Sequence, residues 1–311
     1  MSFTAEVRDE LSRCASSCEY CDLSVLAALT RVCGTLSISG AGHYQLEIST
    51  ETGAVARTMI GLTHKVLHLK TDFTVRKSVL HKVRNYLIVL PDQPQLEKAL
   101  ILLGILDRKS RLVAGIPPHL TARKCCSIAY IRGAMIAGGF IADPRGDFHL
   151  EIAVQSANHA HELAELIVGL GIPARVNQRR SSFVVYIKSA ADIKKLLTIL
   201  GASRSVEFID EALKVKSVKA DVNRRVNAEL ANQSRSTNAA GSQLELIDKA
   251  EKYGLYKTLP PALKYFCELR RDFPEMSLRE LGEMADPPLS KSALYHRVCR
   301  LEKIIAEHET E

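Results

Sequence analysis

The chain has 311 residues, enough for two or three domains, and its 46% hydrophobic content can supply sizeable cores. The net charge of +7 suggests an anionic partner without naming one. The opening "MSFTAEVRDELSR" has no apolar signal core, and no apolar run approaches the roughly 18 residues of a membrane span, which excludes a membrane protein and predicts a soluble, cytoplasmic one. Eight cysteines at irregular spacing in such a chain read as thiols rather than disulfides.

Residues 1–13 read as a helix. The next stretch, "CASSCEYCD" from Cys14 to Asp22, is C-x3-C-x2-C with Tyr20 just before the third cysteine. That is the ligand spacing of radical enzymes that hold an iron–sulfur cluster and S-adenosylmethionine. Those enzymes place the triplet in a loop after the first strand of a β/α barrel. Here only a helix precedes it, no series of strand–helix units follows, and no Gly-rich cofactor segment is present. Leu11, Cys14, Cys18, Cys21 and Val25 are instead spaced by three or four, one face of a helix on which Cys acts as a small hydrophobe. The alternative is a structural metal held by Cys14, Cys18 and Cys21 with one of Cys33, Cys125 or Cys126. No cofactor is expected. Cys267 and Cys299, further on, lie in apolar stripes.

An internal repeat organises the first two thirds. "CDLSVLAALTRVCGTLSIS" from Cys21 aligns with "CSIAYIRGAMIAGGFIADP" from Cys126, pairing Leu26 with Ile131, Ala28 with Gly133 and Gly34 with Gly139. In both copies an apolar helix is followed by a short strand ("LEIST" at Leu46, "LEIAV" at Leu150), a helix and a hairpin. The two leading helices are rich in Ala and Gly, so they are expected to pack closely on one another along a pseudo-twofold axis, each carrying a sheet, the two sheets forming a saddle.

"LAALTRVCG" and "IRGAMIAGG" resemble degenerate forms of the LAGLIDADG helix of homing endonucleases. In those enzymes the acid just before the closing Gly binds the divalent metal that cleaves DNA. The matching positions here are Cys33 and Gly138, and neither offers the carboxylate oxygens that hard Mg²⁺ requires. The resemblance therefore implies a retained scaffold without nuclease chemistry, and no metal site of that kind. The hairpins keep one sign of charge. Lys65, Lys70, Arg76, Lys77, Lys82 and Arg84 face one acid, Asp72; Arg175, Arg179, Arg180 and Lys188 face none. Arg76, Lys77, Arg179 and Arg180 are the expected phosphate contacts.

Residues 214–250 read as a polar, partly helical linker, with Arg224 and Arg225 as candidates to follow a phosphate backbone. Beyond it, Pro261 opens a helix to about Arg271. Ser277 with Glu280 forms a capping box, "DPPL" breaks the next helix, and Ser290 caps a longer one whose Leu294, Val298, Leu301 and Ile305 face a core. Short helix, turn and longer helix make a helix-turn-helix. Its second helix is expected to present Ser290, Lys291, Ser292, Tyr295, His296, Arg297 and Arg300 to DNA. From Leu255 onward nine Lys/Arg meet ten acids, so binding would rest on one face.

"MSFTAEVRDEL", "RGAMIAGGFIADP", "VNRRVNAELANQSRSTNAA" and "SLRELGEMADPPLSKSALYHRVCRLEKI", in this order, resemble the WhiA family of bacterial transcriptional regulators from end to end. The expected fold is α+β: a pseudo-twofold, duplicated LAGLIDADG-like domain (1–115 and 116–213), the linker 214–250, and an all-α helix-turn-helix domain (251–311). The resemblance implies a non-catalytic regulator that binds double-stranded DNA at the nucleoid, with a role in cell division and chromosome segregation, and in septation in sporulating actinobacteria. Other transcription or cell-division proteins are candidate partners, and no membrane is. An active nuclease and a protein-binding adaptor are the alternatives.

Overall fold

A computed structural model describes residues 2–40, 42–77 and 84–310, with backbone alone for 77 and 84. Lys82 therefore lies outside the described residues. The chain forms two compact units, Met1–Lys216 and Ser217–Glu311.

The first unit repeats one order of elements. Helix α1 (Phe3–Leu11) is opened by Ser2, whose hydroxyl accepts from the Ala5 amide, and it buries Phe3, Val7 and Leu11 at helical spacing. The first repeat follows: α2 (Cys21–Cys33), β1 (Gly34–Ile38), β2 (Tyr44–Thr50), α3 (Gly53–Leu62), β3 (Asp72–Lys77), β4 (Arg84–Leu90) and α4 (Leu96–Leu102). The second is α5 (Lys124–Gly138), β5 (Gly139–Ile141), β6 (Leu150–Val154), α6 (Ala157–Val168), β7 (Arg175–Gln178), β8 (Phe183–Ile187) and α7 (Ala190–Leu200). Each repeat builds an antiparallel four-stranded sheet in the same order, β1-β2-β4-β3 and β5-β6-β8-β7. Register puts Ile48 opposite Ile88 and Ile152 opposite Val185, all four fully buried, so each sheet turns an apolar face to a common core and a mixed face outward.

Helices α2 and α5 are the centre of that core. Every residue from Ser24 to Thr30 is buried, which requires neighbours on all sides of the helix. Small residues permit the approach, as expected. A Cβ on Gly133 would stand 2.5 Å from the Val25 carbonyl oxygen and 2.9 Å from the Ala28 Cβ. Beside this contact, Tyr130 and His159 meet inside the core, with the hydroxyl 3.1 Å from Nε2. Burial first, and the charge of Arg31 second, hold His159 down to about 4, so it is neutral at physiological pH.

The single helix face expected for the cysteines is corrected. Helix α1 ends at Leu11 and α2 starts at Cys21, so Cys14 and Cys18 lie on a loop. The stretch 214–250 is helical throughout rather than in part, belonging to α8 (Ser203–Lys252). It holds no proline and a single glycine, Gly241, and its asparagines lower helix propensity without breaking the backbone hydrogen bonds. In the second unit α9 (Pro261–Asp272), α10 (Leu278–Glu283) and α11 (Lys291–Thr310) pack with the end of α8 around Ile247, Phe266, Cys267, Leu281, Leu294 and Leu301.

Gly133→Ala is expected to lower stability by about 2–3 kcal/mol, because overpacking at a backbone contact cannot relax by a rotamer change. Gly61→Ala, where a Cβ meets open space, should be neutral or stabilising by up to about 1 kcal/mol. Urea midpoints of the two variants check the contrast. His159 also gives a pH signature. Its folded pKa is depressed, so its contribution is complete above the unfolded value of about 6.5 and is lost as pH falls toward about 4. On the order of 3 kcal/mol should disappear over that window, and His159→Gln should give a shallower pH dependence than the native chain in the same unfolding series.

Candidate nucleic-acid interface

The ends of α2 and α5 are where the LAGLIDADG resemblance places a nuclease's metal-binding acids. Cys33 ends α2, and its thiol donates to the Leu29 carbonyl at 2.9 Å. Burial pushes this thiol up to about 12, so it stays protonated. Gly138 ends α5, and a Cβ there would lie 2.4 Å from the Ala153 carbonyl oxygen, leaving no room for any side chain. Sequence reasoning missed Arg8 on α1. Its guanidinium donates to the Gly139 carbonyl at 3.0 Å from Nε and 2.5 Å from Nη2, and to Thr52 Oγ1 at 3.1 Å. It is close enough to Cys33 to oppose the burial effect on that thiol. A positive side chain therefore sits where an ion would need negative ones. Only the contact across the fold marks Arg8; its local sequence carries no signal.

The outward faces of the two sheets hold the expected basic hairpins. Arg76 is exposed on edge strand β3, opposite Asn85. Lys77 ends that strand and pairs with Arg84 in backbone register. On the second sheet Arg175 starts edge strand β7, and Arg179 and Arg180 form the hairpin tip, where the Arg179 amide donates to Ser182. Lys188 lies over the Tyr186 ring at 5.6 Å. Charge counting did not foresee Glu151. This carboxylate accepts from Arg179 and lies 2.5 Å from His149 Nε2. Arg179 is thus partly neutralised, whereas Arg76 and Arg180 are exposed with no ion pair among the described residues. Lys65 pairs with Asp22 at 2.6 Å. On α8, Arg224 pairs with Asp221, and Arg225 is exposed.

In the second unit, Ser277 and Glu280 form the reciprocal capping box of α10, and the Ser290 hydroxyl accepts from the Ala293 amide to open α11. Leu294, Val298, Leu301 and Ile305 are buried, which fixes the rotation of α11. Lys291, Ser292, Tyr295, His296 and Arg300 are exposed, as is Ser290 at the cap; Tyr295 is 57% exposed. Arg297 differs from this group. It is half-buried beside the apolar stripe, and its Nη1 is shielded without a hydrogen-bond partner among the described residues. Arg270, a residue without a role in the sequence reading, is almost fully buried. It donates to Gln243 Oε1 at 3.0 Å and to the Phe273 and Met276 carbonyls at 3.1 and 2.6 Å, tying α8 and α9 to the turn before α10.

The metal alternative of the sequence reading is rearranged. Cys14 points elsewhere, with its thiol 3.7 Å from the Glu10 carbonyl oxygen and 3.5 Å from that of Gly201. Cys18 and Cys21 instead meet Cys125 and Cys126, all four sulfurs lying within 4.8 Å of one another.

Two LAGLIDADG-like halves with no acid closing either central helix, followed in sequence by a helix-turn-helix, define the class of this protein. Three family profiles match in the same order: the WhiA N-terminal LAGLIDADG-like domain over residues 19–106, the WhiA LAGLIDADG-like domain over 127–219 and the WhiA C-terminal HTH domain over 222–305. A relative in Desulforamulus reducens, called "Probable cell division protein WhiA", is 39% identical over 307 residues, which is 98% of this chain and 95% of the relative. A second, of the same name, in Heliobacterium modesticaldum is 38% identical over 305 residues, covering 98% and 96%. The crystal structure of full-length WhiA from Thermatoga maritima aligns with a TM-score of 0.61 at 25% identity, covering 99% of each chain. The chain belongs to the WhiA family. No helix among the described residues is long and apolar enough to cross a membrane.

Proposed function

We propose that the protein is a non-catalytic, sequence-specific regulator of transcription that binds double-stranded DNA and serves cell division and chromosome segregation. The observation that carries this reading is the exposed face of α11, where Lys291, Ser292, Tyr295, His296 and Arg300 stand on a helix whose rotation is set by a buried apolar stripe. Donors on this face suit base edges and phosphates, and Ser290 and Ser292 stand at the helix N-terminus, where backbone amides attract phosphate. The cell-division names of the relatives support the cellular role. Arg76, Lys77, Arg179, Arg180, Arg224 and Arg225 would add contacts to the sugar-phosphate backbone without reading sequence.

Cleavage is disfavoured by the donor set. The two helix ends offer a protonated thiol and a hydrogen, with the Arg8 guanidinium beside them. Supercoiled DNA incubated with Mg²⁺ and the full chain should remain intact, and nicking would refute the non-catalytic reading. A protein partner on the second sheet is the competing reading there. It is favoured by the neutralisation of Arg179 by Glu151 and by Phe140, half exposed on the same sheet.

Arg300→Ala and Tyr295→Ala should each weaken binding to a cognate fragment by about 1–2 kcal/mol, roughly five- to thirtyfold, with unchanged thermal unfolding. Arg297→Ala should alter affinity and stability together, because that side chain packs beside the core stripe. Fluorescence anisotropy and thermal melts separate the two behaviours, and full affinity in both exposed-face variants would refute the recognition-helix assignment. For the sheets, Arg76→Ala with Arg180→Ala should flatten the plot of log affinity against log salt by a slope of about 0.9 per lost phosphate contact. Glu151→Ala should strengthen non-specific binding by freeing Arg179. An unchanged salt slope would assign the sheet face to a protein.

A further inference from the structure

The thiols of Cys18, Cys21, Cys125 and Cys126 come from two chain segments about a hundred residues apart, yet their sulfurs converge. Cys18 Sγ lies 3.4 Å from Cys21, 3.6 Å from Cys125 and 3.7 Å from Cys126. Four thiolates placed tetrahedrally at about 2.3 Å from one ion are separated by about 3.8 Å, so the observed cluster already has the dimensions of such a shell. A cubane iron–sulfur cluster would spread its ligands further apart, because iron and sulfide stand between them. Apolar packing explains buried Cys21 and Cys126, but it does not explain why half-exposed Cys18 and Cys125 turn their sulfurs to the same point.

The surroundings suit an anionic thiolate cage. Cys21 is the first residue of α2, and Cys125 and Cys126 lie in the first turn of α5, so two helix N-termini direct their positive ends at the sulfurs. Arg123, the N-cap of α5, is held 4.7 Å over the ring of Tyr20, the N-cap of α2, so a cation stands at the two helix starts.

We infer that Cys18, Cys21, Cys125 and Cys126 form a closed tetrathiolate site for one Zn(II) ion, which clamps the entry of α2 to the first turn of α5. Thiolates select a soft or borderline ion over Mg²⁺ or Ca²⁺, and four protein ligands leave no open position. The thiol protons pass to solvent as the ion binds, and no electron is transferred. The ligand set joins the two repeats at the helix ends opposite Cys33 and Gly138. The role is structural and independent of DNA contact.

The test uses the full chain purified under reducing conditions. Elemental analysis should find about one zinc per chain. Exchange with Co(II) should give thiolate-to-cobalt charge-transfer absorption and the intense visible bands of tetrahedral sulfur coordination. Cys18→Ser and Cys125→Ser, both at half-exposed positions, should lose the metal and those bands, whereas Cys14→Ser and Cys267→Ser keep them. Because a ligand variant can misfold, the native chain is also stripped by a chelator with reductant present. Its melting temperature should fall by about 5 °C or more and recover on adding zinc. Zinc below about a fifth of an equivalent would overturn the proposal. So would retention of the ion by Cys18→Ser, iron accompanied by acid-labile sulfide, or a Cys18–Cys21 disulfide in place of the metal.

Discussion

The first unit depends on how closely α2 can approach α5. Two helices carrying ordinary side chains keep their axes about 8–10 Å apart. At the Gly133 crossing the missing Cβ is what lets the Val25 carbonyl and Ala28 come into contact. The consequence is geometric: each helix is enclosed by its partner and its own sheet, so neither repeat has a complete core alone. Leu26 and Leu29 on one helix and Ile131, Ala134 and Met135 on the other belong to one continuous cluster that also takes in both sheets. A substitution at this seam therefore affects both halves, whereas one on an outer sheet face affects a single surface.

The same closeness governs what the helix ends can do. At the Cys33 and Gly138 ends the backbone of β6 approaches so near that a side chain at Gly138 has no volume to occupy. The absence of an acid at Gly138 is therefore built into the packing, and a single substitution cannot supply one. Arg8 reinforces this from α1, bonding the Gly139 carbonyl where the chain leaves α5 for β5. A metal-dependent nuclease needs an open coordination position and negative ligands around it. This end of the helix pair supplies a cation, a protonated thiol and closed backbone.

Much of this was legible in the sequence because periodicity and breaks report on local physics. The repeat, the capping box at Ser277 and Glu280, the "DPPL" break and the buried stripe of α11 depend on residues within one or two turns of each other. What escaped depends on contacts between distant segments. The three-or-four spacing from Leu11 to Val25 looked helical, but Ala15, Ser16 and Ser17 fall in a loop between two helices whose ends are set by tertiary packing. The spacing groups Cys14, Cys18 and Cys21 with one of Cys33, Cys125 or Cys126, and only the meeting of α2 with α5 brings both Cys125 and Cys126 to Cys18 and Cys21, away from Cys14. Counting charges on the hairpins overlooked Glu151, which lies on the neighbouring strand in register with Tyr186. Arg297 was grouped with the exposed cations because a helical position one step from the apolar stripe carries no sign of its burial.

The two ends of the α2–α5 pair have opposite chemistry, and neither offers the open, oxygen-lined position of a metal-dependent nuclease. One end lacks hard oxygen ligands and has no space for one at Gly138. The other gathers four soft sulfurs into a shell with every position filled by protein. A metal bound there would contribute no activated water, since such water requires a ligand position that the protein leaves vacant. A zinc-loaded protein would therefore be no closer to a nuclease than a zinc-free one. What an ion would change is the persistence of the seam, by binding the folded arrangement and not the unfolded chain. A scaffold of two paired repeats has to hold its two sheets in fixed relation if their outer faces are to meet one partner. That requirement is met by packing along the middle of the seam and by ligation at the end where the helices begin.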